Sequence, residues 1–132
     1  MAIYHENMER VNATKHYFFS EDYFKGIMES SDFEAEIYLA KDINSVNTMA
    51  GCMYVITNNI FHYHLSGCKK KYLDVAPVKF LFDNMRIVST KKELHYFNLG
   101  GGLGAYHEDS LFRFKSSFSK DFSEFNLWKL IV

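Results

Sequence analysis

The spacing of apolar residues changes part-way along the chain, from a helical repeat to strict alternation, and so separates helical from extended segments. Tyr4, Met8 and Val11 share one helical face, predicting a first helix within residues 4–15. Ser20 ahead of Glu21 and Asp22 is a capping residue followed by acidic side chains. It predicts a second, short helix with the stripe Phe24, Ile27 and Met28, ending near Ser30 and Ser31. Alternation then sets in. Ala35, Ile37 and Leu39 form the expected buried face of a strand, with Glu34, Glu36 and Tyr38 opposite. Residues 42–44 turn the chain, and residues 48–57 are apolar on both faces, as a central strand is. Asn58 and Asn59 suit a two-residue turn because Asn tolerates positive φ. A third strand places Phe61, Tyr63 and Leu65 on one face and His62, His64 and Ser66 on the other. The three strands read as an antiparallel meander.

Past Gly67 a polar loop carries Lys69, Lys70 and Lys71, and Asp74 is the expected cap of a helix that tolerates Pro77 in its first turn. Val78, Leu81, Phe82, Met85 and Val88 hold helical spacing for three turns. Residues 94–99 suit a short buried strand, Asp109 and Ser110 open a helix bearing Leu111, Phe114 and Phe118, and residues 127–132 read as a last strand. Helix, helix, three strands, helix, strand, helix, strand is the order of a mixed α/β (α+β) domain of two or three layers.

Composition adds the scale. The 132 residues fit one domain, 1–132, and 48% hydrophobic content with a single Pro excludes a disordered chain. Thirteen Phe and nine Tyr supply large apolar area for the core. Fifteen basic against 16 acidic side chains leave a net charge of −1, so any polyanion site must be local. No apolar run has the length of a membrane span, and the first ten residues are too polar for a signal peptide, so the chain is read as cytoplasmic. Cys52 and Cys68 form neither a disulfide framework nor a four-ligand zinc pattern.

Several segments could carry chemistry. Gly100, Gly101 and Gly102, with Gly104 and Ala105, satisfy G-x-G-x-x-A after a strand. The helix begins too late, and the motif too near the end of the chain, for a dinucleotide unit. Three successive glycines still require positive φ, or close approach by a protein group or a ligand. Lys115 lies on a mainly apolar helix, where a lysine ordinarily snorkels to water. His62 and His64 share a strand face without a supporting Cys or acid, which argues against zinc and leaves a general-base role open to either. Lys69 to Lys71 form a solvated loop or, ahead of a helix, a phosphate contact.

The stretch from His95 to Phe118, HYFNLGGGLGAYHEDSLFRFKSSF, resembles the C-terminal signature of the Fem-type branch of the GNAT superfamily. In that branch an apolar strand ending in Leu-Gly-Gly-Gly precedes Asp-Ser-Leu and then Phe-Lys. Residues 4–10, 17–20 and 62–67 also resemble parts of that branch, so the likeness covers nearly the whole chain. It implies a GNAT-like N-acyltransferase fold, with a mixed, mostly antiparallel sheet flanked by helices and lacking its first strand. It further implies that this is the second of the two GNAT-like halves of Fem-type proteins, working beside a second such domain or as a homodimer. The implied activity is transfer of an acyl or aminoacyl group from acyl-CoA or aminoacyl-tRNA, with no tightly bound cofactor. The acceptor is an amine such as that of a cell-wall precursor. By the same resemblance Lys115 is the family's Phe-Lys lysine, which steadies developing negative charge or holds the donor's phosphate, and Phe114 lines the channel. With His64 as the second catalytic candidate, donor contacts are expected from Gly100, Gly101, Gly102, His62, Lys69 and Lys70. Residues 67–74 read GCKKKYLD where acetyl-CoA-dependent members carry Gln/Arg-x-x-Gly-x-Gly/Ala, so both donors stay open. A second class of reading is a non-catalytic binding or assembly domain that keeps the fold.

Overall fold

A computed structural model describes residues 1–102 and 108–124. The chain divides into two compact units, Met1–Leu99 and Gly100–Val132.

In the first unit α1 (Ala2–Arg10) and α2 (Glu21–Met28) precede the meander β1 (Glu34–Lys41), β2 (Thr48–Thr57) and β3 (Ile60–Cys68). Helix α3 (Pro77–Lys91) then crosses over to β4 (Tyr96–Asn98), giving a sheet of order β1-β2-β3-β4 with β3 and β4 parallel. Ser20 caps α2, its Oγ accepting from the Tyr23 amide at 3.2 Å. Asn58 and Asn59 both take positive φ, 50° and 60°, the twist a two-residue hairpin needs. Helix α1 is shorter than its apolar spacing suggests, ending before Asn12, which adopts φ of 50°.

The core lies between α3 and one face of the sheet. Leu81, Phe82 and Met85 from α3 are buried with Ala50, Cys52, Tyr54 and Phe61 from the strands. Tyr54 stacks on Phe61 at 4.7 Å, and Phe82 meets Tyr63 edge-on at 4.9 Å. Each such side chain contributes about 1.5–3 kcal/mol of burial energy. Helix α1 crosses the opposite face, where Gly67 lies against its backbone.

Two strand-level expectations and one helix cap are corrected. In β1 the packed side carries Glu36, Tyr38 and Ala40, whereas Ile37 and Leu39 are 48% and 51% exposed. Lys92, just past α3, donates to Glu36 and Glu34, which makes that polar face compatible with packing. In β3 the register against β2 steps from Tyr54↔Tyr63 to Met53↔Leu65, so His64 is an inserted bulge residue. The bulge turns Leu65 away from the face of Tyr63 and brings Ser66 to it, Tyr63 Oη and Ser66 Oγ lying 2.7 Å apart. Asp74 does not cap α3. It lies in a 3₁₀ turn, Lys70–Val75, and Ala76 stands at the cap position with Pro77 opening the helix.

In the second unit α4 (Ser110–Ser116) follows the glycines and is capped by Asp109, whose Oδ1 accepts from the amides of Leu111 and Phe112. The strand expected at 127–132, and Gly104 and Ala105, lie outside the described residues.

Candidate functional site

The candidate residues of the first unit gather on β3 and the elements beside it. The parallel ladder with β4 covers three pairs, from Ile60↔Tyr96 to His62↔Asn98. Strand β3 continues to Cys68, whereas β4 ends at Asn98. The carboxyl ends of parallel strands are where open α/β sheets bind ligands. His62 is the last residue of that ladder and His64 the bulge two residues on, both half-buried. Burial lowers the pKa of His64, keeping its imidazole neutral at physiological pH.

Sequence reading alone did not find the partner of His64. Tyr23 Oη on α2 lies 2.7 Å from His64 Nε2, with the ring centroids 6.1 Å apart and the ring planes at 25°. Phe19 stacks on Tyr23 at 4.1 Å and on Tyr4 at 5.9 Å, and Tyr4 Oη donates to the Tyr17 carbonyl. A row of aromatic rings from α1 therefore ends at the imidazole. The only sequence signal for it was the density of aromatic residues between 4 and 24.

Lys69 and Lys70 lie apart from the start of α3, because the 3₁₀ turn intervenes. With Lys71 and Glu6 they line a shallow open depression. The amide of Lys70 donates to Glu6 Oε1 at 2.9 Å, so this backbone donor is already engaged by a carboxylate.

In the second unit Lys115 is buried, with 8% of its surface exposed, contrary to the expectation that it reaches water. Its Nζ donates to the Gly101 carbonyl at 2.6 Å. Desolvation lowers its pKa to about 8 against the opposing pull of Asp109, so the ammonium form still predominates at neutral pH. Phe114 is half-buried and packs edge-on against Phe118 at 5.3 Å.

The glycines have separate reasons. Gly100 adopts φ of +69°, and a Cβ there would lie 3.5 Å from Lys115 Nζ. At Gly102 a Cβ would fall 2.1 Å from Asp109 Oδ2, so the protein's own cap occupies that space. Lys115, Gly100 and Gly101 are thus brought together, and Asp109 ties Gly102 to the same turn. Among the described residues no group of three or more His, Cys, Asp or Glu could hold a metal ion. Nor is any described helix long and apolar enough to cross a membrane.

Comparison with solved structures decides the fold. The aminoglycoside acetyltransferase HMB0005, from an uncultured soil metagenomic sample, superposes with a TM-score of 0.64 at 10% identity, covering 99% of this chain and 89% of its own. The fold is GNAT-like. A tetramutant of the BH1408 protein from Bacillus halodurans is similar, with a TM-score of 0.66 at 6% identity over 98% of this chain and 88% of that one. A second mutant of BH1408 gives 0.62 at 5% identity over the same shares. No family model and no curated protein matches the chain in sequence. The GNAT-like order accounts for the crossover helix between β3 and β4 and for the mostly antiparallel sheet.

Proposed function

We propose that this chain is an N-acyltransferase domain, moving an acyl or aminoacyl group from acyl-CoA or aminoacyl-tRNA onto an amine. The observation that carries the reading is the short parallel pair β3/β4, whose pairing stops after three residue pairs with a half-buried imidazole at a bulge just beyond. The end of a parallel ladder in an open α/β sheet suits an extended donor arm, and the bulge departs from regular pairing where an acyl group would be held. The fold shared with an acetyltransferase of known structure supports the same class of chemistry.

The reaction requires a neutral amine whose nitrogen attacks the carbonyl carbon while the C=O electron pair moves to oxygen. Collapse re-forms the carbonyl and breaks the C–S bond of a thioester or the C–O bond of an aminoacyl ester. The amine proton passes to a base, and the thiolate or alkoxide leaving group takes up a proton. His62 and His64 supply imidazole groups that can hydrogen-bond or exchange a proton. Lys115 supplies a desolvated positive charge suited to a phosphate of the donor or to developing negative charge. Lys69 and Lys70 in the first unit and, taken separately, Phe114, Gly100, Gly101 and Gly102 in the second are the remaining proposed donor contacts. A Fem-type role adds a cell-wall precursor as acceptor, charged tRNA as donor and a second GNAT-like domain or second copy as companion.

The test is ligand-dependent thermal stabilisation with acetyl-CoA, longer acyl-CoAs and charged tRNA, followed by a transfer assay against amine acceptors. A donor should raise the unfolding midpoint of the wild type and less so that of His64→Ala and Lys115→Met. A protein that responds to no donor belongs to the binding or assembly class. The engaged amide of Lys70 is the observation that favours that second reading.

A further inference from the structure

The hydrogen bond between α2 and β3 carries a consequence for the direction in which His64 works. Tyr23 and His64 are 41 positions apart in sequence and 2.7 Å apart in space, and among the described residues neither side chain has another hydrogen-bonding side-chain partner. Tyr23 is held from both ends. Its amide donates to the cap Ser20, its ring stacks on Phe19 at 4.1 Å and 14°, and its hydroxyl end meets the imidazole. The titratable groups around the pair are Tyr4 on α1, beyond Phe19, and His62 two residues back on β3; no charged side chain bonds to either ring among the described residues. Burial favours the neutral form of both partners, raising the pKa of the phenol and lowering that of the imidazole. Between a neutral phenol and a neutral imidazole, the phenol is the better donor and the bare ring nitrogen the better acceptor. The hydrogen bond at one ring nitrogen sets which nitrogen carries the proton.

We propose that Tyr23 is a positioning residue: its hydroxyl donates to His64 Nε2 and fixes the imidazole as the Nδ1–H tautomer, so that His64 serves as a hydrogen-bond donor to the acyl carbonyl oxygen and not as the base that receives the amine proton. This rests on the acyl-transfer reading for its role in the reaction, but the tautomer stands or falls independently of it. A donor poised at the carbonyl oxygen strengthens its bond as that oxygen gains charge, which stabilises the transition state more than the ground state. The amine proton then leaves to His62, to water or to a group of the substrate.

The experiment is long-range ¹H–¹⁵N correlation of the histidine rings in uniformly labelled protein at mildly alkaline pH, with His64 assigned by its disappearance in His64→Gln. Wild type should show a protonated Nδ1 and an unprotonated Nε2. Tyr23→Phe keeps the ring stack on Phe19 but should release the ring into a mixture of tautomers. A wild-type ring protonated at Nε2, or a tautomer unmoved by Tyr23→Phe, overturns the proposal. With a donor and acceptor from the transfer assay, Tyr23→Phe should lower kcat on the order of ten-fold with KM little changed. Transfer that needs His64 but ignores Tyr23 removes the positioning role and leaves the acyltransferase reading in place. Transfer with no donor removes that reading, whereas the tautomer still decides the hydrogen bond.

Discussion

Gly67 on β3 and Ile3 on α1 are in backbone contact: a Cβ on Gly67 would stand 2.6 Å from the Ile3 carbonyl oxygen and 2.8 Å from Tyr4 Cα. No rotamer can relieve a clash with main chain, so a methyl group there must push α1 off the sheet. Gly67→Ala should lower unfolding stability by about 1–3 kcal/mol. Gly26, inside α2 with nothing within 4 Å of its would-be Cβ, is the control. There the same substitution should stabilise by about 0.5–1 kcal/mol through helix propensity. Urea titration of both variants checks the pair, and equal shifts would mean that α1 does not dock on β3 in this way.

Lys92 ties the end of α3 to the edge strand through Glu36 and, at 3.2 Å, Glu34. Burial works to raise the pKa of Glu36, but hydrogen bonds from Lys92 and Tyr38 outweigh it and hold the carboxyl below its ordinary value. A carboxylate whose folded pKa is depressed contributes stability that is present above its unfolded pKa and is lost as pH falls through the folded one. Lys92→Met should therefore cost on the order of 1 kcal/mol near neutral pH, the modest figure reflecting partial exposure of both partners. The difference from wild type should close below the carboxylate range. Melting curves at the two pH values test this, and a gap of the same size at both would show that Lys92 acts through packing alone.

The elements legible in sequence were those whose signals are local. β2 is apolar on both faces because both faces are covered, and Ser20 and Asp109 are side chains that serve their own helix ends. The face of β1 departs from its apolar alternation because the outcome depends on Lys92, more than fifty residues away, which bridges Glu34 and Glu36. Ile37 and Leu39 look like a buried face only if that partner is unknown. The bulge at His64 leaves no mark on the apolar alternation, yet it reverses the faces of Leu65 and Ser66. His62 and His64 could be named from residue type and Lys115 only from the Fem-type resemblance, whereas the partner Tyr23 and the burial of Lys115 are properties of the folded chain.

Lys115 titrates well below the ordinary lysine value, at about 8 against 10.5, because its ammonium is desolvated. The unfolded chain therefore binds more protons than the folded one between those two values, and stability from this group rises with pH across that window. Below it the burial penalty is fully present. Lys115→Met fills similar volume without the charge, so the stability of wild type relative to the variant, taken as the difference in unfolding free energy, should climb as pH increases from about 8 toward 10.5, other titrations cancelling between the two proteins. Urea midpoints across that range measure it, and parallel pH profiles would place the ammonium in water after all.

Tyr54 carries a buried hydroxyl with no nitrogen or oxygen partner among the described residues, set beside the thiol of Cys52. Thiols bond weakly, and burial pushes the Cys52 thiol up to about 12, so it remains a neutral S–H. An unsatisfied hydroxyl in the core carries a desolvation cost, whereas the ring itself supplies the stack on Phe61 and the contacts with Tyr38 and Phe97. Tyr54→Phe keeps those rings in place and deletes only the oxygen. It should leave stability unchanged or raise it by up to about 1 kcal/mol, whereas Tyr54→Ala should lose about 3–5 kcal/mol as an aromatic-to-alanine cavity does. A loss of more than about 1 kcal/mol in the phenylalanine variant would reveal a bond to the hydroxyl, either from an ordered water or from a stronger thiol contact than the geometry implies.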